Sequence, residues 1–387
     1  MPPTLNVEKI TKNEINASIE AALKNLREII PVFKDKFVPG TSKNNFYSPS
    51  ENTCWTNGFH TGMYWLAWEI TGDEIFKNAA NVHVDSFLHR IENEISVDHH
   101  DMGFLYSLSC VAAWQLVGNE AGKQAAILAA DKLISRFQEK GGFIQAWGDM
   151  GAPDNYRLII DCLLNLPLLY WATEVTGDKK YAKIADIHTE TSVNNLVRDD
   201  YSTYHTFFFD PETGAPTKGV TAQGYKDSSP WARGQAWGIY GLALSYHYTK
   251  NPKCIDLFYK ITDFFIEKSP SDGICYWDLC FTDGDGEPKD SSAAAIAACG
   301  MLEMAKYLPA SEAERYTAVA EQIAGALARH YTPKPGESNG LLLHGVCVKS
   351  SPYNPWGDAG VDECNVWGDY YWMELLVRLS RDWDMYW

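Results

Sequence analysis

The chain contains no long apolar run, and no stretch rich in proline, glycine or serine separates one part of it from another. A membrane span needs about 20 consecutive apolar residues, so none is predicted. The missing linker favours a single domain over residues 1–387, which is long enough to enclose a large core. The first residues lack the basic-then-apolar pattern of a leader, which favours a cytoplasmic location, with a periplasmic one left open if a leader was removed.

Basic residues are scarce. The 33 Lys and Arg stand against 50 Asp and Glu, so the formal net charge is −17. This balance argues against nucleic acid or an anionic membrane as the main partner. A small anionic substrate stays compatible if local Arg, Gln, His and helix N-termini offset the overall field. We therefore expect a small-molecule partner, and a monomer or weak oligomer.

The cysteines show no pairing pattern. There are nine, an odd number, and several lie in apolar stretches, as Cys110, Cys162 and Cys299 do. That placement is typical of reduced, buried thiols. Cys275 and Cys280 have no second pair or spaced His set beside them, so a zinc site is not indicated. The sequence predicts no metal and no cofactor.

One local pattern recurs about a hundred residues apart. Residues 68–74 (WEITGDE) and 173–179 (TEVTGDK) each lie between a stretch that is apolar nearly all round and an amphipathic one. Gly is the favoured C-terminal cap of a helix and Asp a favoured N-cap, so each copy predicts a tight turn between two helices. Weaker copies follow, and the repeating unit is a helical hairpin.

Counting these units predicts an all-α fold, an (α/α)6 barrel in which six hairpins form a toroid. The buried inner helices are expected at 58–70, 104–117, 160–176, 233–249, 291–307 and 365–380. The outer amphipathic helices are expected at 13–33, 73–92, 119–138, 178–196, 253–268 and 311–331.

In this arrangement all inner helices run the same way, so their N-termini meet at one end. The long connections at that end are expected to form the active site; they are 93–103, 139–159, 197–232, 269–290 and 332–364. Short strands are expected at 204–209 and 273–277, without a sheet core.

Polar and aromatic side chains collect at the predicted mouth. They are Trp55, Asn57, His100, Asp101, Trp147, Asp161, His205, Gln223, Trp231, Arg233, Trp237, Asp290, Trp367 and Asp369. Carboxylates, a cation, amides and flat rings suit a sugar pocket. An Asp at the mouth of an apolar segment is costly to ionise, so Asp101 and Asp161 suggest an acid/base pair. Helix capping is the alternative for each Asp, and an internal salt bridge is the alternative for Arg233.

Six motifs, in chain order, resemble those of the unsaturated glucuronyl hydrolases, glycoside hydrolase family 88. They are 98–108 (DHHDMGFLYSL), 145–148 (QAWG), 160–167 (IDCLLNLP), 204–206 (YHT), 231–238 (WARGQAWG) and 366–371 (VWGDYY). The resemblance runs from about Trp55 to the C-terminus.

The resemblance implies an (α/α)6 barrel that hydrates the C4=C5 double bond of an unsaturated uronate at the non-reducing end of lyase-generated oligosaccharides. Asp161 matches the family's general acid, which also activates water, and Asp101 matches its companion. Gln223 and Arg233 match carboxylate-binding positions, and His205 matches a residue near the reacting ring. Stacking walls are implied for Trp55, Trp147 and Trp237; Asn57, His100 and Trp231 complete the expected sugar-binding set.

Departures from the family pattern bear on the substrate. Ala222 precedes Gln223 where some relatives have His, and Asn57 stands where some have Asp. In the long segment 340–363, Lys349 with Ser350 and Ser351 suggests a sulfate contact and so glycosaminoglycan disaccharides; a solvated loop is the alternative. An unsaturated rhamnogalacturonyl hydrolase, a sugar epimerase on the same barrel and a non-catalytic sugar-binding protein remain alternative functions.

Overall fold

The structure, a computed structural model, describes residues 5–387 and is mostly helical. The helices are α1 (Lys12–Phe33), α2 (Asn57–Thr71), α3 (Glu74–Glu92), α4 (Met102–Tyr106), α5 (Ala112–Val117), α6 (Glu120–Ile134), α7 (Pro167–Thr176), α8 (Lys180–Asn195), α9 (Ala232–Thr249), α10 (Pro252–Lys268), α11 (Ser291–Ala305), α12 (Ala310–His330) and α13 (Val366–Ser380). A π-helical segment, Ser107–Val111, joins α4 to α5, and a 3₁₀ turn, Ile160–Leu164, precedes α7. The prediction of a mainly helical chain is confirmed.

Burial separates the helices into the two predicted kinds. Nearly every residue of α11 is buried, whereas α10 buries one stripe and exposes the rest. The Thr-Gly-Asp turns behave as predicted. Gly72 and Gly177 end α2 and α7 in the left-handed conformation, with φ of 66° and 76°, which glycine adopts without strain. Asp73 then accepts a hydrogen bond from the Ile75 amide at the start of α3.

Each inner element contacts the next one along the chain. α2 packs on α4 and the π segment, these pack on α7, the 3₁₀ turn and α7 pack on α9, α9 packs on α11, and α11 packs on α13. Finally α13 packs on α2. Outer helices cover the same elements from outside, since α3 contacts α2, α8 contacts α7 and α12 contacts α11.

Two predicted inner helices are interrupted. The one expected at 104–117 begins at Met102 and contains the π segment, where the Ser109 hydroxyl donates to the Leu105 carbonyl. The one expected at 160–176 starts as an α-helix only at Pro167. Proline lacks the N–H that would continue a helix from the preceding turn, so residues 160–164 remain a separate 3₁₀ turn.

The strands are short and lie in the long connections. They are β1 (Phe137–Gln138), β2 (Phe143–Ile144), β3 (Arg157–Ile159), β4 (Thr206–Phe209), β5 (Pro216–Val220), β6 (Gly345–Val348) and β7 (Ala359–Glu363), all paired antiparallel. β4 confirms the strand expected at 204–209. The strand expected at 273–277 is wrong: Tyr276 makes only an isolated bridge with Lys289, since the neighbouring Pro288 offers no N–H to a ladder.

A search of residues 5–387 found no helix with the length and apolar character of a membrane span.

Candidate active site

A cavity of about 610 Å³ opens where the inner helices begin. Its walls come from the segments before α2 and α4, from the 3₁₀ turn, and from the connections that carry β2 to β7. The lining residues are Thr53, Cys54, Trp55, Ser96, His99, His100, Asp101, Trp147, Ile159, Asp161, His205, Ala222, Gln223, Val348, Trp356, Gly357, Asp358 and Ala359. Both predicted carboxylates line this concave site.

Asp101 occupies the N-cap position of α4 but does not cap the helix with its side chain. Its Oδ2 instead lies 3.1 Å from Nδ1 of His99, and its Oδ1 lies 3.4 Å from Nε2 of His100. Burial alone would raise the pKa of Asp101, but the two His residues outweigh it and hold that pKa below its ordinary value. Asp101 is therefore an ionised carboxylate at neutral pH.

Asp161 lies in the 3₁₀ turn, and its Oδ1 lies 3.4 Å from Nε2 of His100. Burial, and then the negative charge of Asp101, raise the pKa of Asp161 well above its ordinary value, against the opposing field of Arg233. A carboxyl group in this environment keeps its proton near neutral pH. The structure thus separates the two carboxyl groups into an ionised one and a protonated one, the arrangement that acid/base chemistry requires.

The two carboxyl groups belong to segments that touch directly. One oxygen of Asp101, one of Asp161 and a ring nitrogen of His100 all lie within 4.8 Å of one another. Asn165 ties the segments together, because its side-chain oxygen accepts the Phe104 amide at 2.9 Å. Gly103 makes the approach feasible: a Cβ there would lie 2.4 Å from the Asn165 Cα.

His205 and Gln223 form a second polar group on the wall. Nε2 of His205 lies 3.4 Å from Oε1 of Gln223, and its Nδ1 contacts the Thr206 hydroxyl. Burial lowers the pKa of His205 to about 3, so the ring is neutral. If Nε2 carries the proton, it donates to Gln223, and the amide NH₂ of Gln223 stays available as a donor to a ligand.

Aromatic rings flank the carboxylates. Trp55 stacks on Trp367 with centroids 5.6 Å apart, and Trp147 meets the His100 ring edge-on at 6.4 Å. The Arg157 guanidinium lies 4.4 Å from the Trp147 ring centre. Flat faces of this kind suit the apolar side of a sugar ring.

Four predicted sugar-binding residues lie beneath the wall and do not line the cavity. Asn57 bonds the Cys54 amide and the Val38 carbonyl, and Trp237 packs between Phe104 and Tyr371. Trp231 supports the His205 ring from behind, at a centroid distance of 4.9 Å. These three residues position the walls.

Arg233 is the fourth, and its role as a carboxylate ligand stays a prediction. The guanidinium is buried, lies 3.0 Å from Asp290, and donates to the backbone carbonyls of Val346 and Cys347. The salt bridge with Asp290 is the alternative that the sequence left open for Arg233, and the bonds to Val346 and Cys347 hold β6 against the start of α9.

Lys349 and Ser350, which were expected to contact a sulfate, have partners within the chain. The Lys349 ammonium lies 4.0 Å from a carboxylate oxygen of Glu287. The amide and hydroxyl of Ser350 both donate to Asp358 at 2.7 Å. Neither residue lines the cavity, whereas Asp358 does.

Sequence reasoning did not select His99, Trp356 or Asp358, which line the cavity. His99 was adjacent to the Asp101 motif, but its contact depends on a backbone turn that the sequence does not show. Trp356 is 73% exposed and lies in the connection 332–364, which was expected at the active-site end, but no sequence feature singled out this ring within the connection. A metal could be held by the group His100, Asp101 and Asp161.

Comparison with known proteins assigns the chain to a family. The model of Glycosyl Hydrolase Family 88 matches residues 29–374. The chain is 50% identical to an unsaturated chondroitin disaccharide hydrolase of Streptococcus agalactiae serotype III, covering 99% of this chain and 96% of that protein. It is 42% identical to an unsaturated glucuronyl hydrolase of a Bacillus species, covering 92% and 94% of the two chains.

Solved structures agree with the sequence comparison. The crystal structure of the unsaturated glucuronyl hydrolase from Streptococcus agalactiae superposes with a TM-score of 0.94 at 50% identity, over 99% of this chain and 96% of that one. A variant of that hydrolase in complex with dGlcA-GalNAc6S superposes with a TM-score of 0.87 at 46% identity, over 99% and 95% of the chains. The chain therefore belongs to Glycosyl Hydrolase Family 88, the unsaturated glucuronyl hydrolases, and is a glycoside hydrolase.

Proposed function

We propose that this hydrolase hydrates the C4=C5 double bond of the unsaturated uronate at the non-reducing end of chondroitin-type disaccharides. The observation that carries the proposal is the pair of carboxyl groups, one protonated and one ionised, that share a wall of one sugar-sized cavity. The name of the relative at 50% identity, an unsaturated chondroitin disaccharide hydrolase, supports the choice of disaccharide.

Asp161 starts the reaction by giving its proton to C4, which leaves positive charge at C5 and the ring oxygen. The ionised Asp101 stabilises that charge electrostatically. Asp161, now a carboxylate, takes a proton from a water molecule while the oxygen of that water adds to C5. The resulting hemiketal opens and releases the neighbouring sugar with a free reducing end. The Gln223 amide is the donor best placed for the uronate carboxylate, since its oxygen is turned to His205.

We infer further that the six helical hairpins close into an (α/α)6 barrel forming one catalytic domain over residues 1–387. The return contact of α13 on α2 and the outer cover of each inner helix support this inference. The site then lies at the end where the inner helices begin, which concentrates their partial positive charges on an anionic substrate.

We propose an uncharged leaving sugar. Among the described residues that line the cavity there is no Lys or Arg, and Asp358 adds a carboxylate to Asp101 and Asp161. Hydrogen bonds from the Ser350 amide and hydroxyl lower the pKa of Asp358, so it stays ionised. A sulfate on the leaving sugar would meet this negative field without a cation to offset it.

The test follows the ultraviolet absorbance of the conjugated uronate while the enzyme acts on unsaturated chondroitin disaccharide. We expect the absorbance to fall in step with release of N-acetylgalactosamine. The saturated disaccharide should not be cleaved, because it has no double bond to protonate. A faster reaction on unsaturated rhamnogalacturonan disaccharide would favour the pectin alternative, and isomerisation with unchanged absorbance would favour an epimerase.

A further inference from the structure

The imidazole of His100 lies between the two catalytic carboxyl groups. Its Nε2 is 3.4 Å from Oδ1 of Asp101 and 3.4 Å from Oδ1 of Asp161, and its side chain is only 2% exposed. Within residues 5–387, neither ring nitrogen of His100 nor Oδ1 of Asp161 has a hydrogen-bond partner. Buried polar atoms are nearly always paired, so the unpaired Nε2 of His100 and Oδ1 of Asp161, 3.4 Å apart, indicate a ligand between them.

The spacing of these atoms fits a small tetrahedral cation. Ligands bound to zinc at about 2.0–2.1 Å in tetrahedral geometry lie roughly 3.4 Å from one another. Both contacts of the His100 nitrogen have that length, and the whole set lies within 4.8 Å. Three protein ligands leave the fourth position facing the cavity.

The donor set also selects the kind of cation. Calcium takes six to eight oxygen ligands and magnesium a near-ideal octahedron of oxygens, which two carboxylates and an imidazole do not provide. One nitrogen and two oxygens suit zinc and neighbouring divalent transition metals.

The surroundings hold the ligands in place, as in many metal sites. The Asp101 amide donates to Nδ1 of His99 at 3.1 Å, and Nε2 of His99 donates to the Ser96 carbonyl. The backbone amide of His100 donates a hydrogen bond to the Ala146 carbonyl. Partners of this kind orient metal ligands and raise affinity.

We propose that His100, Asp101 and Asp161 form a binding site for a divalent transition metal such as Zn²⁺, and that occupancy of the site inhibits the enzyme. The bound metal releases the proton of Asp161 to solvent and coordinates the carboxylate oxygen that otherwise protonates C4 of the uronate. Inhibition rests on the proposed function, whereas binding rests only on the geometry.

The test is a calorimetric titration of the full chain with ZnCl₂. The background variant Cys280→Ser removes an exposed thiol that would bind zinc independently. We expect one site per chain, weakened about tenfold or more in His100→Asn and in Asp161→Asn. The matched control is His344→Asn, which removes a surface His that lies 2.6 Å from Asp362 and should leave the affinity unchanged.

Three results would overturn the site: no binding in the background variant, equal binding in both cavity variants, or a Co²⁺ spectrum with a thiolate band that assigns the metal to Cys54. Thermal melting shows whether each variant is folded. Zinc should also stop turnover reversibly, with activity restored by a chelator. If zinc binds but the protein shows no hydrolase activity, only the proposed function is refuted. If zinc binds and turnover is unaffected, only the proposed inhibition is refuted.

Discussion

The two Asp residues proposed for catalysis have the same side chain, but their pKa values are shifted in opposite directions. Asp101 has the His99 and His100 rings beside it, whereas Asp161 has an apolar turn on one side and the Asp101 charge on the other. Two like charges so close cannot both be ionised cheaply, so the proton stays on the residue with the fewer favourable contacts. That difference is why Asp161, and not Asp101, is proposed as the acid.

Asp161→Asn should lower turnover by roughly 10²–10⁴-fold, the usual contribution of a general acid, because an amide has no proton to give to C4. Disaccharide binding should persist, since the variant keeps the shape of the cavity. Steady-state assays and a binding titration measure the two effects. The surface variant Asp256→Asn on α10 is the control. Normal turnover in Asp161→Asn would exclude its assignment as the acid.

Asp358→Asn should change substrate preference rather than overall activity. The amide keeps an acceptor for Ser350 but removes the charge, so kcat/KM for a 6-sulfated disaccharide should rise up to about fivefold relative to the unsulfated one. Asp362→Asn, on the same hairpin but facing His344, is the matched control. A parent enzyme that already prefers the sulfated disaccharide would contradict the proposal of an uncharged leaving sugar.

Residues within continuous motifs could be assigned from sequence, whereas residues with distant partners could not. The motifs around Asp101 and Asp161 were long enough to identify both carboxylates. The contacts of Arg233 depend on Asp290 and on the Val346 carbonyl, 57 and 113 positions away, and nothing local shows them.

At the scale of elements, the active site depends on the close contact between the start of α4 and the 3₁₀ turn. Gly103 allows this contact, since any side chain there would collide with the Asn165 backbone. The periodic pattern predicted most helices to within a few residues. It missed the break at Pro167 because apolar spacing continues through the 3₁₀ turn although the hydrogen-bond pattern does not.

Gly103→Ala should push the two segments apart and so separate Asp101 from Asp161. We expect a loss of about 1–3 kcal/mol in the free energy of unfolding, with a fall in kcat larger than the rise in KM. Denaturant unfolding and steady-state kinetics measure these effects. In the control Gly238→Ala, the new Cβ meets only side-chain atoms, the nearest at 3.2 Å, so the effect should be small. An active, equally stable Gly103→Ala would show that the contact tolerates a methyl group.

At the scale of the whole molecule, buried neutral histidines outnumber buried protonated carboxyl groups. Burial lowers the pKa of His83 and His100 to about 4 and of His188 and His205 to about 3. Unfolded histidine takes up a proton near pH 6.5, so acidification below that value favours the unfolded chain until the folded pKa values are reached. Burial raises the pKa of Asp369 to about 7 and that of Asp161 as well, which acts in the opposite direction.

The melting temperature should therefore fall between pH 7 and pH 5. Each histidine contributes up to about 1.4 kcal/mol per pH unit once the pH is well below 6.5, and less between pH 7 and pH 6.5; the two carboxyl groups offset part of the sum. Calorimetry at several pH values measures the slope. His188→Gln keeps an acceptor for the Ile144 amide and removes one titrating group, so its slope should be shallower. A melting temperature that is constant from pH 7 to pH 5 would contradict this account.

The contact of α13 with α2 also affects how the chain folds during its synthesis. On the ribosome, α2 emerges early, but the neighbour that covers its second side begins only at Val366, about 300 residues later. Until then the nascent chain carries helices that are apolar nearly all round, with one flank unpaired. Such an intermediate is prone to aggregation, so its yield in a cell should depend on chaperones and on the speed of translation.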